Sequence, residues 1–229
     1  AGLQRYTAEL LEDTLPTSDW GTSQVAAAVV MDPNTGEVLA LVSIPTYDNN
    51  IWAESKIRSE ELRALANDSA TYALTNKALS SAAPGSTFKI VTSAAGLEEG
   101  SITPATSRYV GCELEVKGVN NELYKYKDWR CHNMVMDVRT ALAWSSNVFM
   151  FLTAGGDLTT TRGLGDDIEE SGAILAAWAR RFGFGKTTGI DLYGEDPGRI
   201  PDPAWKKRTY VGPGYNAGDR EWLLGDNYN

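Results

Sequence analysis

The sequence predicts an α/β domain in which strands flank a helical middle. Three observations carry that prediction. Two apolar segments, 24–31 and 37–43, enclose Asp32-Pro33-Asn34-Thr35-Gly36, a strong turn signal, and so read as an antiparallel hairpin. Between Ser86 and Phe182, apolar segments recur with helical spacing and helix-ending signals. No repeat, low-complexity tract or linker divides the 229 residues, so residues 1–229 read as a single domain.

Residues 3–15 are expected to be helical, with Leu3, Tyr6, Leu10 and Leu11 on one side and charges between them. Residues 24–31, from Gln24 on, are Ala/Val-rich and read as a buried strand. Residues 37–43 read as its partner, ended by Pro45. The segment 47–81 is mixed, with a short helix over 60–66. Pro84-Gly85 breaks the chain, and a helix follows over 86–97, stopped by Gly100. Residues 101–135 read as loops and short strands punctuated by Gly111, Gly118 and Asn120-Asn121. Asp137 can cap a helix over 138–144. Ser145-Ser146-Asn147 interrupts it, and the apolar run 148–154 is helical again, ending at Gly155-Gly156. A further helix is expected over 166–182, with Ile168, Leu175 and Trp178 on its apolar face and Gly183 at its C-cap. Beyond Gly183 the chain is rich in Gly, Pro and Asp, and no long element is predicted. Lys206-Lys207-Arg208 reads as a solvated loop.

Composition narrows the class. Hydrophobic residues at 42% and charged residues at 22% suffice for a real core at this length. No run approaches the 18 or so apolar residues that a membrane span needs. The first residues lack the basic-then-apolar pattern of a signal peptide, so any targeting or anchoring segment is expected outside this chain. Thirty acidic against 21 basic residues give a net charge of −9, which repels phosphate backbones and argues against nucleic acid as a partner.

Two cysteines, Cys112 and Cys131, are separated by a polar loop. They could close a disulfide, which would suit an oxidising compartment, or stand as two free thiols; the spacing does not choose. Zinc held by Cys112, Cys131 and His132 is the third option. No CxxC or HxxxH spacing supports it, and adjacent Cys131 and His132 would reach one ion with difficulty. His132 is the sole histidine. It lies in no recognisable nucleophile context, and no Gly-x-Ser-x-Gly elbow occurs, so any serine chemistry here points to a base other than histidine.

Two short segments carry the chemistry. In Ala83-Pro84-Gly85-Ser86-Thr87-Phe88-Lys89, Ser86 falls in the first turn of a helix. Its backbone N–H is unused within the helix and can serve an oxyanion hole. Lys89, three residues on, lies over the same face. A lysine held away from water has its charged form disfavoured and can act as a base toward the serine. The plain alternative is a helix N-cap beside a surface lysine, and Ser-x-x-Lys alone is common. The second segment, Ser145-Ser146-Asn147, sets three polar residues in an apolar neighbourhood where they need partners. A substrate and a lysine amine could supply them; so could a helix corner in which Ser and Asn cap the ends.

The combination is more specific. Ser-x-x-Lys followed about 60 residues later by Ser-x-Asn is a motif order of penicillin-binding proteins and serine β-lactamases. The segment Val30-Met31-Asp32-Pro33-Asn34-Thr35-Gly36-Glu37-Val38-Leu39-Ala40 resembles the strand–turn–strand ahead of the active serine in penicillin-binding transpeptidases. The stretch from Asn76-Lys77-Ala78 to Lys89 resembles their nucleophile segment. Gly183-Phe184-Gly185-Lys186-Thr187-Thr188-Gly189-Ile190-Asp191-Leu192, with Gly194-Glu195, resembles a segment they carry downstream. The resemblance runs over essentially the whole chain and is closest to peptidoglycan transpeptidase domains.

The resemblance implies a fold of the β-lactamase/transpeptidase type, an antiparallel sheet flanked by helices plus an all-helical subdomain. It implies Ser86 as nucleophile, Lys89 as general base, Ser145 as proton relay and Asn147 as the group positioning the substrate amide and Lys89. Ser86 would attack a D-Ala-D-Ala stem peptide, and the acyl group would pass to the amine of a neighbouring stem. β-Lactam antibiotics would acylate the same serine. No metal or organic cofactor is implied, and the place of action would be the extracytoplasmic face of the bacterial cytoplasmic membrane.

The family's third motif, Lys-Thr-Gly or Lys-Ser-Gly on a strand, has no match here. Lys186-Thr187-Thr188-Gly189 follows a helix end and aligns with a different family segment. Residues 222–229 resemble the stretch ahead of the family's remaining helix and strands. The expectation is therefore a partial domain that starts within its first helix and lacks its C-terminal strands, and that is either inactive by itself or completed by a further segment or a second chain. Alternative readings are a β-lactam sensor or class D-like β-lactamase on the same fold, and a non-catalytic module that binds cell-wall peptides.

Overall fold

The structure, a computed structural model, describes residues 1–17, 25–52, 58–117, 123–157 and 161–210. The expectations placed on Gln24, Gly118, Asn120-Asn121 and residues 222–229 lie outside them. The described residues form two compact units. One joins Ala1–Ser81 to Ile190–Asp196; the other joins Ala82–Gly189 to the chain from Pro197 on.

In the first unit, helix α1 (Gly2–Thr14) packs on a hairpin of β1 (Ala26–Met31) and β2 (Val38–Ile44). The strands pair antiparallel from Ala26↔Ile44 to Val30↔Ala40, with a register shift between Val30 and Met31. Alternation along β2 buries Ala40, Val42 and Ile44. The predicted turn closes on its aspartate: the Asp32 carboxylate accepts from the Asn34 amide at 2.8 Å, and Gly36 takes φ +79°. That left-handed position is the one where a side chain would be strained. The Gln4 side chain both donates to and accepts from the Leu41 backbone, each at 2.8 Å, standing where a neighbouring strand would sit. Helix α2 (Arg58–Asn67) follows near its expected place. Asn76 then caps a single turn over Lys77–Leu79 by accepting from the Ala78 amide, which accounts for the asparagine in Asn76-Lys77-Ala78.

The second unit is mainly helical. Its elements are α3 (Lys89–Glu98), β3 (Arg108–Val110), β4 (Glu113–Lys117), β5 (Leu123–Lys127), β6 (Met134–Met136), α4 (Val138–Ala143), α5 (Asn147–Ala154), α6 (Ile168–Arg181) and α7 (Pro203–Tyr210). Two antiparallel ribbons, β3 with β6 and β4 with β5, accompany the helices. Helix α3 packs against both α5 and α6. One apolar cluster gathers Ile102, Val110, Met136, Val138 and Phe149; a second gathers Val91, Ala95, Ala154, Leu164 and Trp178.

The approach of α3 to α5 depends on Gly96, because a Cβ there would overlap the methyl of the fully buried Thr153. Gly96→Ala is expected to cost about 1–3 kcal/mol through overpacking, read as a lower thermal midpoint. An unchanged midpoint would show that the two helices are not held at this separation.

Cys112 and Cys131 form a disulfide across 19 positions, which resolves the open choice and leaves neither sulfur for zinc. Reducing it is expected to cost about 3 kcal/mol for a loop of this size. The thermal midpoint should fall under dithiothreitol, and a variant with both cysteines replaced by serine should show the same fall without reductant.

The expectation for residues beyond Gly183 is corrected. Residues 203–210 form helix α7, and Lys206-Lys207-Arg208 lies within it rather than in a solvated loop. Lys206 is buried, and Lys207 pairs with Glu169 of α6 at 2.5 Å. The start signal was present: Asp202 accepts from the Trp205 amide at 2.7 Å and Pro203 occupies the first helical position. Asp202 also pairs with Arg180 of α6. That amide bond, then the guanidinium, hold its carboxyl below the usual range despite some burial. The surrounding Gly, Pro and Asp hid an eight-residue helix whose stability comes from its neighbours.

Candidate active site

Ser86 does not open an α-helix. It sits in a single 3-10 turn over Gly85–Phe88 that leads into α3. Gly85 takes φ +54°, and Phe88 packs edge to face on Phe184 with ring centres 5.7 Å apart. A 3-10 turn has three residues per turn, so positions i and i+3 eclipse each other. Ser86 and Lys89 are such a pair. The departure from the expected helix therefore stacks the two side chains, and Nζ of Lys89 lies 3.1 Å from Oγ of Ser86.

The other partners of Lys89 come from the junction of α4 and α5. Ser145 takes φ +52°, the left-handed region that non-glycine residues seldom occupy. The amides of Ser145 and Ser146 are used to close α4, donating to the carbonyls of Leu142 and Ala141. The chain then enters α5. Around Nζ of Lys89 stand the Ser145 carbonyl at 2.7 Å, the Ser145 hydroxyl at 3.0 Å and Oδ1 of Asn147 at 2.7 Å. Ser146 points the other way. Fully buried, it caps α5 by accepting from the Phe149 amide at 3.2 Å. The structure thus brings the four predicted residues together at one nitrogen. Lys186-Thr187-Thr188-Gly189 lies in no strand.

Burial lowers the pKa of Lys89 from the ordinary lysine value; the negative charge of Asp128 opposes this in part. A charged Lys89 would bring three donors to four oxygens. A neutral amine brings two donors and one lone pair. The Ser145 carbonyl and the Asn147 amide oxygen, both pure acceptors, make the two shortest contacts and can take the two donors. A hydroxyl can then donate to the lone pair. The arrangement accommodates the uncharged form that proton abstraction requires.

Asp128 escaped the sequence reading. Its side chain is fully enclosed. Its carboxylate accepts from the Ser146 hydroxyl at 2.8 Å, the Asn147 and Val148 amides at 3.0 Å each, and the Trp129 amide at 2.8 Å. Burial opposes its charge. Together the hydrogen bonds from Asn147, Val148, Ser146 and Trp129 prevail and hold the carboxyl below its ordinary value. The amides at the start of α5 are unpaired helix donors and call for such an anion. The need for partners at Ser145-Ser146-Asn147 was legible; that an aspartate 18 residues upstream meets it was not. His132 is buried beside Asp128, its Nε2 3.6 Å from Oδ1, between the rings of Trp129 and Trp144.

A family model described as the penicillin binding protein transpeptidase domain matches residues 26–218. The chain belongs to that family. Among its transpeptidase relatives, the peptidoglycan D,D-transpeptidase MrdA of Escherichia coli K12 is 33% identical over 206 residues, 89% of this chain and 30% of the relative. MrdA of Haemophilus influenzae is 30% identical over 225 residues, 98% of this chain and 29% of the relative. The chain thus spans about three tenths of these curated relatives. Among solved structures, penicillin-binding protein 2 of Helicobacter pylori in complex with MreC has a TM-score of 0.68 at 25% identity, covering 98% of this chain and 37% of that one. The penicillin G acyl-enzyme of penicillin-binding protein A from Mycobacterium tuberculosis has a TM-score of 0.60 at 25% identity, covering 94% and 43%. Solved penicillin-binding proteins therefore share the fold of this chain.

Proposed function

We propose that this transpeptidase domain acylates Ser86 with the D-Ala-D-Ala end of a peptidoglycan stem peptide and passes the acyl group to an amine of a second stem. The observation that carries the reading is the contact of Lys89 Nζ with Ser86 Oγ at 3.1 Å, inside a cluster that also holds Ser145 and Asn147. Neutral Lys89 takes the Ser86 proton as Oγ forms its bond to the penultimate D-alanine carbonyl. The resulting oxyanion receives the N–H of Ser86. As the intermediate collapses, the C–N bond breaks and the proton passes from Lys89 through the Ser145 hydroxyl to the departing D-alanine amine. An incoming amine then reverses these steps, losing its proton and releasing Ser86. Asn147 orients Lys89 and receives the substrate amide.

β-Lactams imitate the D-Ala-D-Ala end and acylate Ser86 in the same way. The proposal places this chemistry on the extracytoplasmic side of the membrane, in keeping with a disulfide. It assigns residues 1–229 to one transpeptidase domain. An element bearing Lys-Thr-Gly or Lys-Ser-Gly, from a further segment or a second chain, binds the substrate carboxylate. Incubation with a fluorescent penicillin tests the reading: the intact protein is expected to become labelled at Ser86, and Ser86→Ala to remain dark. Equal labelling of both would refute it.

A further inference from the structure

Asp128 lies outside both motifs, yet the geometry of the second runs through it. The Ser145-Ser146-Asn147 turn must hold a left-handed residue and present a carbonyl, a hydroxyl and an amide oxygen to one nitrogen. The turn's own bonds close α4 and cap α5, but they do not fix the Asn147 and Val148 amides. The Asp128 carboxylate does so from outside: Oδ1 takes the Asn147 amide, and Oδ2 takes the Val148 amide and the Ser146 hydroxyl. Ser146 in turn caps α5. Asp128 is itself held in place. Its amide donates to the Cys112 carbonyl at 2.8 Å, and the Cys112–Cys131 disulfide ties down the loop three residues on.

Resting on the function proposed above, we infer that Asp128 is a positioning residue, pinning the Ser145–Asn147 turn and, through it, the oxygens that surround Nζ of Lys89. Hydrogen bonds to a buried carboxylate are among the stronger ones, and their loss leaves two helix amides unsatisfied. The charge acts separately. The groups on Nζ of Lys89 are Ser86 from its own turn and Ser145 and Asn147 from the α4–α5 junction; the Asp128 carboxylate, from the loop after β5, stands behind them on the Asn147 amide. His132 packs against Asp128, and Arg130 stacks on Trp129 and Trp144. Asp128 is the one whose charge favours the ammonium form of Lys89.

The test compares fluorescent-penicillin acylation of the intact protein, Asp128→Asn and Asp128→Glu across pH. Asp128→Asn removes the charge and presents an NH2 to groups that need an acceptor. Its acylation should slow by about tenfold or more. The acid limb of its profile should also move to lower pH, because Lys89 then loses its proton more readily. Asp128→Glu should keep the midpoint while its rate falls, since a longer arm cannot seat both oxygens on the same donors. A slower Asp128→Asn with an unmoved midpoint would make Asp128 a fold residue only and overturn the inference. So would an unchanged rate. If Asp128→Asn does not fold, Asp128→Glu decides: an undiminished rate overturns the inference. Failure of the unaltered protein to acylate Ser86 would instead count against the proposed function.

Discussion

Replacing Lys89 by methionine is expected to slow acylation of Ser86 by about a thousandfold or more. Methionine keeps the length and apolar stem of lysine, so α3 should still pack, but no proton acceptor remains at the serine. General base catalysis is commonly worth about 10²–10⁴-fold, and His132, the only histidine, faces Asp128 rather than the nucleophile. The loss should lie toward the upper end because Lys89 Nζ is also the hub for Ser145 and Asn147. Single-turnover labelling with a fluorescent penicillin reads the rate, and thermal melting confirms the fold. A folded Lys89→Met protein acylating within tenfold of the original would remove Lys89 from the role of base.

Ser145→Ala should slow acylation by about a hundredfold. The variant removes the hydroxyl 3.0 Å from Lys89 but leaves the Ser145 carbonyl, so Lys89 keeps a main-chain anchor at 2.7 Å. What it loses is the path by which a proton reaches the departing amine. The effect should therefore depend on the leaving group. A depsipeptide substrate, whose leaving alkoxide needs less help than an amine, should be turned over with a smaller penalty than the matching peptide. Equal penalties on both would assign Ser145 to positioning instead of proton transfer. Alanine also fits the left-handed backbone at this position poorly, so Ser145→Gly provides the control for strain.

The elements legible in the sequence were those whose signals are local. Asp32-Pro33-Asn34-Thr35-Gly36 fixes the hairpin by its own hydrogen bonds, and Asp137 and Asp167 cap α4 and α6 from adjacent positions. Ser86 and Lys89 stand three residues apart, and Ser145 and Asn147 two, so the motifs announced themselves although the 3-10 form of the first turn did not. The features that stayed hidden depend on distant partners. Helix α7 is held by Arg180 and Glu169 of α6, which no short window contains. Asp128 reaches its donors across the β6 ribbon strand and α4, and its burial is a property of the assembled unit. The Cys112–Cys131 pairing was open because spacing alone does not bring two sulfurs together.

The central claim is that Lys89 stands uncharged beside Ser86 when acylation begins. The pH dependence of acylation by a fluorescent penicillin tests it most directly. The rate is expected to rise with pH along a single ionisation whose midpoint lies below the ordinary lysine value of 10.5, because burial disfavours the ammonium form. That ionisation should vanish in Lys89→Met. A midpoint at or above the ordinary lysine value, or the same ionisation persisting in Lys89→Met, would contradict the account.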